Sequence, residues 1–333
     1  MTTKQIKEKA KSKKIRWGII GSTGWAEHTF SPAIEEARGA ELVAVLSSTK
    51  AKAVDFCERH KIDQGFSKLA DFVADKSIDA VWIAGPNYLH KEHAVAALGA
   101  GKHVLCEKPM AISPAECRSM ISAAKKARCR LHIAYNTRHS PKIQAIHKQW
   151  MAGRFGKPVH GRAHLYYPYP EDLGGWHSRE KQVGSWVFGD IGTHLIDQLR
   201  WFLGDAKKVI AAHTSSPSWG YRTPDHAAAM ISFKNGAVGT LSASTGLAPG
   251  KGRLEFYGDQ GYIIIENGIL GMPGSITTGI KNGKERTAEL PFSKTYKLQV
   301  EAFGRCITSK DSFPLTPEDG LANVQLISQA RGW

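Results

Sequence analysis

Residues 15–26 read Ile15-Arg16-Trp17-Gly18-Ile19-Ile20-Gly21-Ser22-Thr23-Gly24-Trp25-Ala26, and this stretch decides the fold. A short apolar run predicts a buried strand. It passes straight into a glycine-bearing turn, and helical sequence follows. A strand, turn and helix start of this kind lets backbone come close to a pyrophosphate and aims helix N-terminal amides at it. The strict G-x-G-x-x-G spacing is absent: Gly21, Gly24 and Ala26 give G-x-x-G-x-A, with Thr23 where the second glycine usually stands. The loop gains weight from its place at the head of a repeating strand–helix pattern.

That pattern runs to about Tyr135. Strands are expected at Ile15–Ile20, 41–46, 80–84, His103–Cys106 and 130–134, with amphipathic stretches at 51–60 and 91–99 between them. Such alternation predicts a doubly wound parallel sheet. After Pro141 the character changes. A helix is expected at 143–151, then strands at 159–167, 208–213, 227–233, Val238–Ser244, 254–257 and 262–266, punctuated by Asn235-Gly236 and Gly258-Asp259. These turns favour a mainly antiparallel sheet. One helix, 192–203, interrupts the strands, and another, 320–330, follows the cap sequence Thr316-Pro317-Glu318-Asp319. The reading is an α/β protein with a basic, disordered tail at 1–13, a Rossmann domain at 14–136 and an α+β substrate and oligomerisation domain at 137–333. The closing helix, 318–330, is placed to pack back on the Rossmann domain.

Composition agrees with this division. A chain of 333 residues, 42% hydrophobic and 23% charged, suits two globular domains. No apolar run approaches the roughly 18–20 residues of a membrane span, and no apolar h-region precedes the first strand. Five scattered cysteines without a CxxC pair suggest reduced thiols and a cytoplasmic setting. Part of the net charge of +15 lies in Lys4, Lys7, Lys9, Lys11, Lys13 and Lys14, which face one acid, Glu8. No helix-turn-helix, zinc-finger or RNP-type pattern accompanies them, so neither nucleic acid nor membrane is the expected partner. The remaining excess suits an anionic ligand, and a phosphorylated dinucleotide would serve. NAD enzymes place an acid at the end of the second strand for the ribose 2′-hydroxyl. Here that place reads Ser47-Ser48-Thr49-Lys50-Ala51-Lys52. Hydroxyls and lysines suit a 2′-phosphate, so Ser47, Ser48, Thr49 and Lys52 predict NADP(H) ahead of NAD(H).

With Ala84-Gly85-Pro86-Asn87-Tyr88-Leu89-His90 and Gly101-Lys102-His103-Val104-Leu105-Cys106-Glu107-Lys108-Pro109 in view, the chain resembles the Gfo/Idh/MocA oxidoreductase family. The likeness runs from about Lys14 to the last helix. Glu107-Lys108-Pro109 is its most specific element, and Gly189-Asp190-Ile191-Gly192-Thr193-His194 matches the family's D-x-x-x-H helix start, followed by Asp197. The opening loop and the Ser47–Thr49 turn look closest to an NADPH-using branch. The resemblance implies an enzyme that transfers hydride between a nicotinamide and a sugar, polyol or related carbonyl compound. It implies a cofactor lined by Gly21, Ser22, Thr23, Gly24, Trp25, Ala84, Pro86, Asn87, His90, Glu107, Lys108 and Asn136. It further implies a cis Lys108–Pro109 bond, a substrate met by Tyr135, Trp176, His177 and Arg179, and a homodimer or tetramer built through the C-terminal sheet.

The residue types suit that chemistry. Hydride transfer at a carbinol carbon requires a proton to move on the adjacent oxygen. The Lys108 ammonium can polarise a carbonyl and stabilise a developing alkoxide. Asp190 and His194, four apart, share one helix face. His194 is the expected proton donor or acceptor, with Asp190 orienting it or bonding the substrate hydroxyl. No third ligand has convincing spacing, so no metal is expected. His160 and His164 read as structural. Tyr166-Tyr167-Pro168-Tyr169 with Trp176 offers aromatic faces to a sugar ring. Two other functions are weighed: a dihydrodiol-type dehydrogenase with a more apolar pocket, and a silent NADP-binding sensor, against which the full Lys108, Asp190 and His194 set argues.

Overall fold

The computed structural model describes residues 14–169, 179, 186–215, 223–247, 250–309 and 311–331, so the tail at 1–13 lies outside it. The first six strands are β1 (Ile15–Ile20), β2 (Ala40–Leu46), β3 (Gln64–Phe66), β4 (Ala80–Ile83), β5 (His103–Cys106) and β6 (Leu131–Ile133). They form a parallel sheet in the order β3-β2-β1-β4-β5-β6. Its central strands are covered on both faces, which is why β4 reads Ala-Val-Trp-Ile with no polar alternation and is wholly buried. The strand order reverses between β1 and β4, and that switch point is where open α/β sheets bind ligands.

The intervening helices start and stop on local signals. Helix α1 is Ser31–Glu36, and α2, Lys50–His60, begins where the Thr49 hydroxyl accepts from the Lys52 amide at 3.3 Å. Helices α3 (Leu69–Ala74) and α4 (His90–Gly99) precede α5 (Pro114–Ala127), which is capped by Ser113. Helix α6, Pro141–Met151, leads into the second domain.

The second sheet contains β7 (Pro158–Tyr166), β8 (Ala206–Ser215), β9 (His226–Phe233), β10 (Val238–Ser244), β11 (Gly252–Gly258), β12 (Gly261–Glu266), β13 (Gly274–Ile280) and β14 (Arg286–Leu290). Their order is β14-β13-β12-β11-β7-β10-β9-β8, antiparallel throughout except for the parallel β7–β10 pair. Along β7, Gly161, Ala163 and Leu165 face inward while Arg162, His164 and Tyr166 alternate outward. His164 stacks on Tyr166 and His160 on Tyr257, both on that outer face. The inner face packs against α7, Thr193–Leu203.

Three strands, helices α3 and α5 and one late helix go beyond the sequence reading. β3 has only three residues, and β13 and β14 are rich in threonine, glycine and charge, so none presents an apolar run. Helix α8, Thr295–Thr308, begins inside a stretch that lacks a side-chain cap. Its Val300, Phe303 and Cys306 belong to the core of the parallel sheet, with Phe303 5.5 Å from Trp17. Helix α9, Pro317–Ala330, starts on a capping box in which Thr316 and Asp319 bond reciprocally. It packs on α5 and β6 as well as on α7 and β8. A side chain at Gly320 would stand 2.7 Å from Ile133 Cγ1, so glycine permits this close approach.

A buried ion pair ties the halves together. Arg138, in the short turn after β6, donates to both carboxylate oxygens of Asp197 on α7, at 2.9 and 2.8 Å. Their side chains are 4% and 0% exposed. Asn323 of α9 donates to the same carboxylate at 3.1 Å, and Arg200 donates to Asn323 at 2.8 Å. Removing one partner of such a pair leaves a desolvated charge, at a cost of roughly 3–5 kcal/mol. Asp197→Ala is therefore expected to lower the denaturant midpoint by that order, with most of the loss recovered in an Asp197→Leu/Arg138→Met double variant. Equal midpoints for Asp197→Ala and wild type would show the pair to be inert.

Candidate active site

The turn after β1 sits at the switch point. Gly21 has φ 107°, and a Cβ there would stand 3.0 Å from the Gly85 amide nitrogen, so the turn is seated against the loop after β4. A Cβ on Gly24 would meet nothing within 4 Å, which leaves the face of the turn open. Thr23, Gly24 and Trp25 are exposed and Ser22 half-buried. The Thr23 hydroxyl accepts from the Ala26 amide at 3.2 Å, filling the role of a helix cap where a second glycine is missing. The helix then opens with a π-turn, Ala26–Phe30.

At the end of β2, Ser47 is buried and its hydroxyl has no hydrogen-bond partner among the described residues, while Ser48, Thr49 and Lys52 are exposed. Lys50, between them, is tied to the Gly65 carbonyl at 2.7 Å. The first turn of α2 carries no acid. Beyond β4, Ala84 and Asn87 are buried and Pro86 half-buried.

His90 lies deeper than a ligand-facing position allows. Its ring nitrogens stand 2.9 Å from the Pro109 carbonyl and 3.0 Å from the Gly85 carbonyl, and burial lowers its pKa to about 4. The ring clamps the two loops that border the crevice. Asn136 is likewise fully buried. It donates to the Thr295 hydroxyl at 2.8 Å, and among the described residues its own carbonyl oxygen has no partner.

β5 delivers Glu107 and Lys108, joined to Pro109 by a cis peptide. Glu107 accepts from Trp82 Nε1 at 3.1 Å and from the Lys108 amide at 3.3 Å. Burial raises its pKa to about 7 against the pull of Lys108. Lys108 reaches across the junction: Nζ donates to the Asp190 carboxylate at 2.6 Å and to the Asp190 carbonyl at 3.0 Å. Asp190 lies in a second π-turn, Phe188–Gly192, inside a helical run that continues as α7. π-turns recur at functional sites because the widened turn re-aims side chains.

The other Asp190 oxygen accepts from the Tyr169 hydroxyl at 2.7 Å. Burial pushes the Asp190 carboxyl up, but Lys108 and the Tyr169 hydroxyl outweigh it and hold the group below its ordinary range. The sequence expectation that Asp190 orients His194 therefore changes. Both of its oxygens are engaged by Lys108 and Tyr169, and among the described residues no hydrogen bond joins it to His194. His194 stands beside the pair, 5% exposed, with its ring edge-on to Tyr135 at 6.1 Å. Burial first, then the charge of Lys108, lowers its pKa to about 3 against the opposing effect of Asp190. It is a neutral imidazole at physiological pH.

Tyr135 forms the floor beneath. It is buried, and its hydroxyl shares a 2.5 Å hydrogen bond with Thr193. Trp176 and His177 lie outside the described residues, and Arg179 is exposed. Two site residues escaped the sequence reading as individuals. In the sequence Tyr169 is only one of an aromatic run. Tyr296, at the start of α8, is half-buried beside Phe30 and Trp82, with ring centroids at 5.7 and 6.4 Å. Among the described residues no group of three His, Cys, Asp or Glu side chains is arranged to hold a metal, and no helix is long and apolar enough to cross a membrane.

A parallel sheet of this order, with a lysine–carboxylate pair projecting beside its switch point, defines a dinucleotide-binding oxidoreductase. The chain belongs to the Gfo/Idh/MocA family: the model of the family's NAD-binding Rossmann domain matches residues 15–135 and that of its C-terminal domain residues 143–264. Among curated proteins it is 29% identical to a 1,5-anhydro-D-fructose reductase of Ensifer adhaerens, over 92% of each chain. It is also 29% identical to a scyllo-inositol 2-dehydrogenase (NADP(+)) of Bacillus subtilis, over 95% of this chain and 96% of that one. Its fold matches the aldose-aldose oxidoreductase of Caulobacter crescentus with a TM-score of 0.87 at 23% identity, covering 96% of this chain and 98% of the other.

The Tyr169–Asp190 bond yields a prediction with a defined sign. A hydrogen bond to the ionised form lowers the carboxyl pKa, and its loss raises it. In Tyr169→Phe the acid limb of the kcat/KM profile should move to higher pH, and kcat/KM near neutrality should fall by about tenfold, the scale of a hydrogen bond to a charged group. Cofactor affinity should stay within a few fold. An unmoved acid limb in the pH–rate profile would remove Tyr169 from the role.

Proposed function

We propose that the protein is an NADP(H)-preferring oxidoreductase that interconverts a CH–OH group and a carbonyl on a sugar or polyol. The observation that carries this reading is the 2.6 Å contact between Lys108 at the end of β5 and Asp190 on the opposing domain. It sits beside a glycine turn whose outer face is open. The names of the relatives above, a sugar reductase and an inositol dehydrogenase, support the substrate class.

The residues present fit a dinucleotide. The Gly21 turn is seated without side-chain obstruction, and the open faces at Thr23 and Gly24 adjoin the helix N-terminus, where a pyrophosphate is favoured. Gly21, Ser22, Thr23, Gly24 and Trp25 would hold the pyrophosphate. Ser47, Ser48, Thr49 and Lys52 would surround the adenosine ribose, where the orphaned Ser47 hydroxyl awaits a partner and no acid opposes a 2′-phosphate. Ala84, Pro86, Asn87 and Glu107 would border the nicotinamide half. His90 and Asn136 hold the crevice from behind. The bound nicotinamide supplies the hydride acceptor or donor.

The protein's own groups manage the oxygen. The Lys108 ammonium, oriented by Asp190, points a donor at the substrate oxygen and stabilises negative charge there. Tyr169 keeps Asp190 in place and ionised. Neutral His194 offers a lone pair to a hydroxyl proton in the oxidative direction and a ring N–H to the carbonyl in the other. His194 is buried and the others are half-buried, and partial exclusion of water strengthens each interaction.

Two measurements test the reading. In fluorescence titrations NADP(H) should bind more tightly than NAD(H), and equal or better affinity for NAD(H) would reverse the preference. Lys108→Ala should reduce turnover by roughly 10²–10⁴, the range of a positioned acid–base group, with cofactor affinity changed by no more than a few fold. If half the wild-type activity survives, the lysine is not catalytic.

A further inference from the structure

Beside the catalytic groups lies a cavity of about 460 Å³ that the chemistry above does not use. Its wall is built from both domains: Trp25 and Pro32 of the first, and Tyr167, Ile269, Phe292 and Tyr296 of the second. Lys108, Asp190 and His194 do not line it, and of the proposed cofactor residues only Trp25 does. It thus shares Trp25 with the proposed dinucleotide crevice and is linked to the reacting centre by aromatic side chains on two sides. The Tyr167 ring stands 5.2 Å from Tyr169, whose hydroxyl bonds Asp190 at 2.7 Å. On the other side Tyr296 packs against Trp82, which bonds Glu107 at 3.1 Å.

The lining surface is mainly aromatic and aliphatic, with Asn267 and Ser293 as neutral polar points and the charged Glu36, Lys251, Lys294 and Lys297 also in the wall. Concave sites of this size, apolar with a few polar groups, are the usual form of small-molecule pockets. Several members are costly to leave in water. Trp25 is 43% exposed and Phe292 62%, although both are large apolar groups. A single sugar ring at Lys108 would leave this volume unfilled.

We propose that the cavity is an aglycone subsite: the substrate is a glycoside whose sugar ring is oxidised or reduced at Lys108 while an apolar ring attached to it occupies the space between Trp25, Phe292 and Tyr296. This deepens the sugar-oxidoreductase reading and rests on it. Binding energy gathered at this distance from the reacting carbon holds the sugar in register. In the wall, Lys294 just before α8 donates to Glu36 of α1 at 2.8 Å, a contact between the two helices that line it.

The test compares the methyl and phenyl glycosides of the same sugars, across a panel of hexoses, by cofactor absorbance with saturating NADP⁺. The phenyl glycoside should show a kcat/KM about 10–100-fold higher, mainly through KM, the scale on which a filled apolar pocket discriminates. Phe292→Ser and Met272→Ser, singly and together, change exposed positions on the cavity wall. They should erase the phenyl preference and leave the methyl glycoside within twofold. Equal kcat/KM for the two glycosides in the wild type, or a preference that survives both substitutions, overturns the subsite and leaves the sugar-oxidoreductase reading standing. If no sugar or glycoside in the panel supports hydride transfer, that broader reading falls. Calorimetry of phenyl glycoside binding to the NADP⁺-loaded protein then decides the cavity alone: binding lost in the double variant supports it, and no binding to wild type rejects it.

Discussion

The buried pair of Arg138 and Asp197 is the constraint on which the rest of the arrangement depends. Arg138 belongs to the turn that ends the parallel sheet and Asp197 to the helix that carries His194. Two fork-like bonds at 2.8 and 2.9 Å fix both distance and rotation, which a hydrophobic contact would leave loose. Taking both charges out of water is expensive, and the pair repays it only through added hydrogen bonds. Asn323 and Gln198 supply these at 3.1 and 3.2 Å. Asp190 and His194 lie seven and three residues before Asp197 on the same helical run. Anchoring Asp197 therefore sets the height at which Asp190 meets Lys108.

From that anchor the charges in the site divide their labour. Asp190 is kept ionised by two donors, Lys108 and Tyr169, against burial, which pushes its carboxyl up. His194, more deeply buried, has no comparable partner among the described residues and is neutral. Glu107, behind Lys108, has a pKa near 7 because burial acts on it more strongly than its neighbouring cation does. Three groups close in space thus take three different protonation behaviours from desolvation and partners alone. That separation is what an active site moving one proton requires.

Much of this was legible in the chain. The apolar runs at Ile15–Ile20 and His103–Cys106 and the turn at Gly21 carried the parallel sheet, because strands covered on both faces must be apolar throughout. Lys108, Asp190 and His194 were legible as residues, yet their mutual geometry was not. Spacing of four suggested that Asp190 and His194 act as a couple, whereas the widened turn at Phe188–Gly192 hands Asp190 to Lys108 and Tyr169. Periodicity arguments assume a regular helix, and a π-turn breaks that assumption. His90 looked like a ligand-facing residue from its loop position, but its two carbonyl partners come from separate loops that only folding brings together. Tyr169 lay in a run of aromatics without period, and nothing local marks which of them meets a carboxylate 21 residues on.

The domain boundary shows the same limit more deeply. Sequence places the change of character near Pro141, where strand–helix alternation stops. Packing places it elsewhere, since Val300, Phe303, Cys306, Phe313 and Leu315 lie in the core of the parallel sheet. The last two helices thus close a core that begins almost three hundred residues earlier, while α9 also contributes Leu326 and Ile327 to the other core. Neither half can bury its apolar surface without the other. A cleft between two such halves is not a hinge between independent bodies. Helix α8 completes the core of the parallel sheet and α9 supplies side chains to both cores, so the distance between Lys108 and Asp190 is set by the same burial that stabilises both.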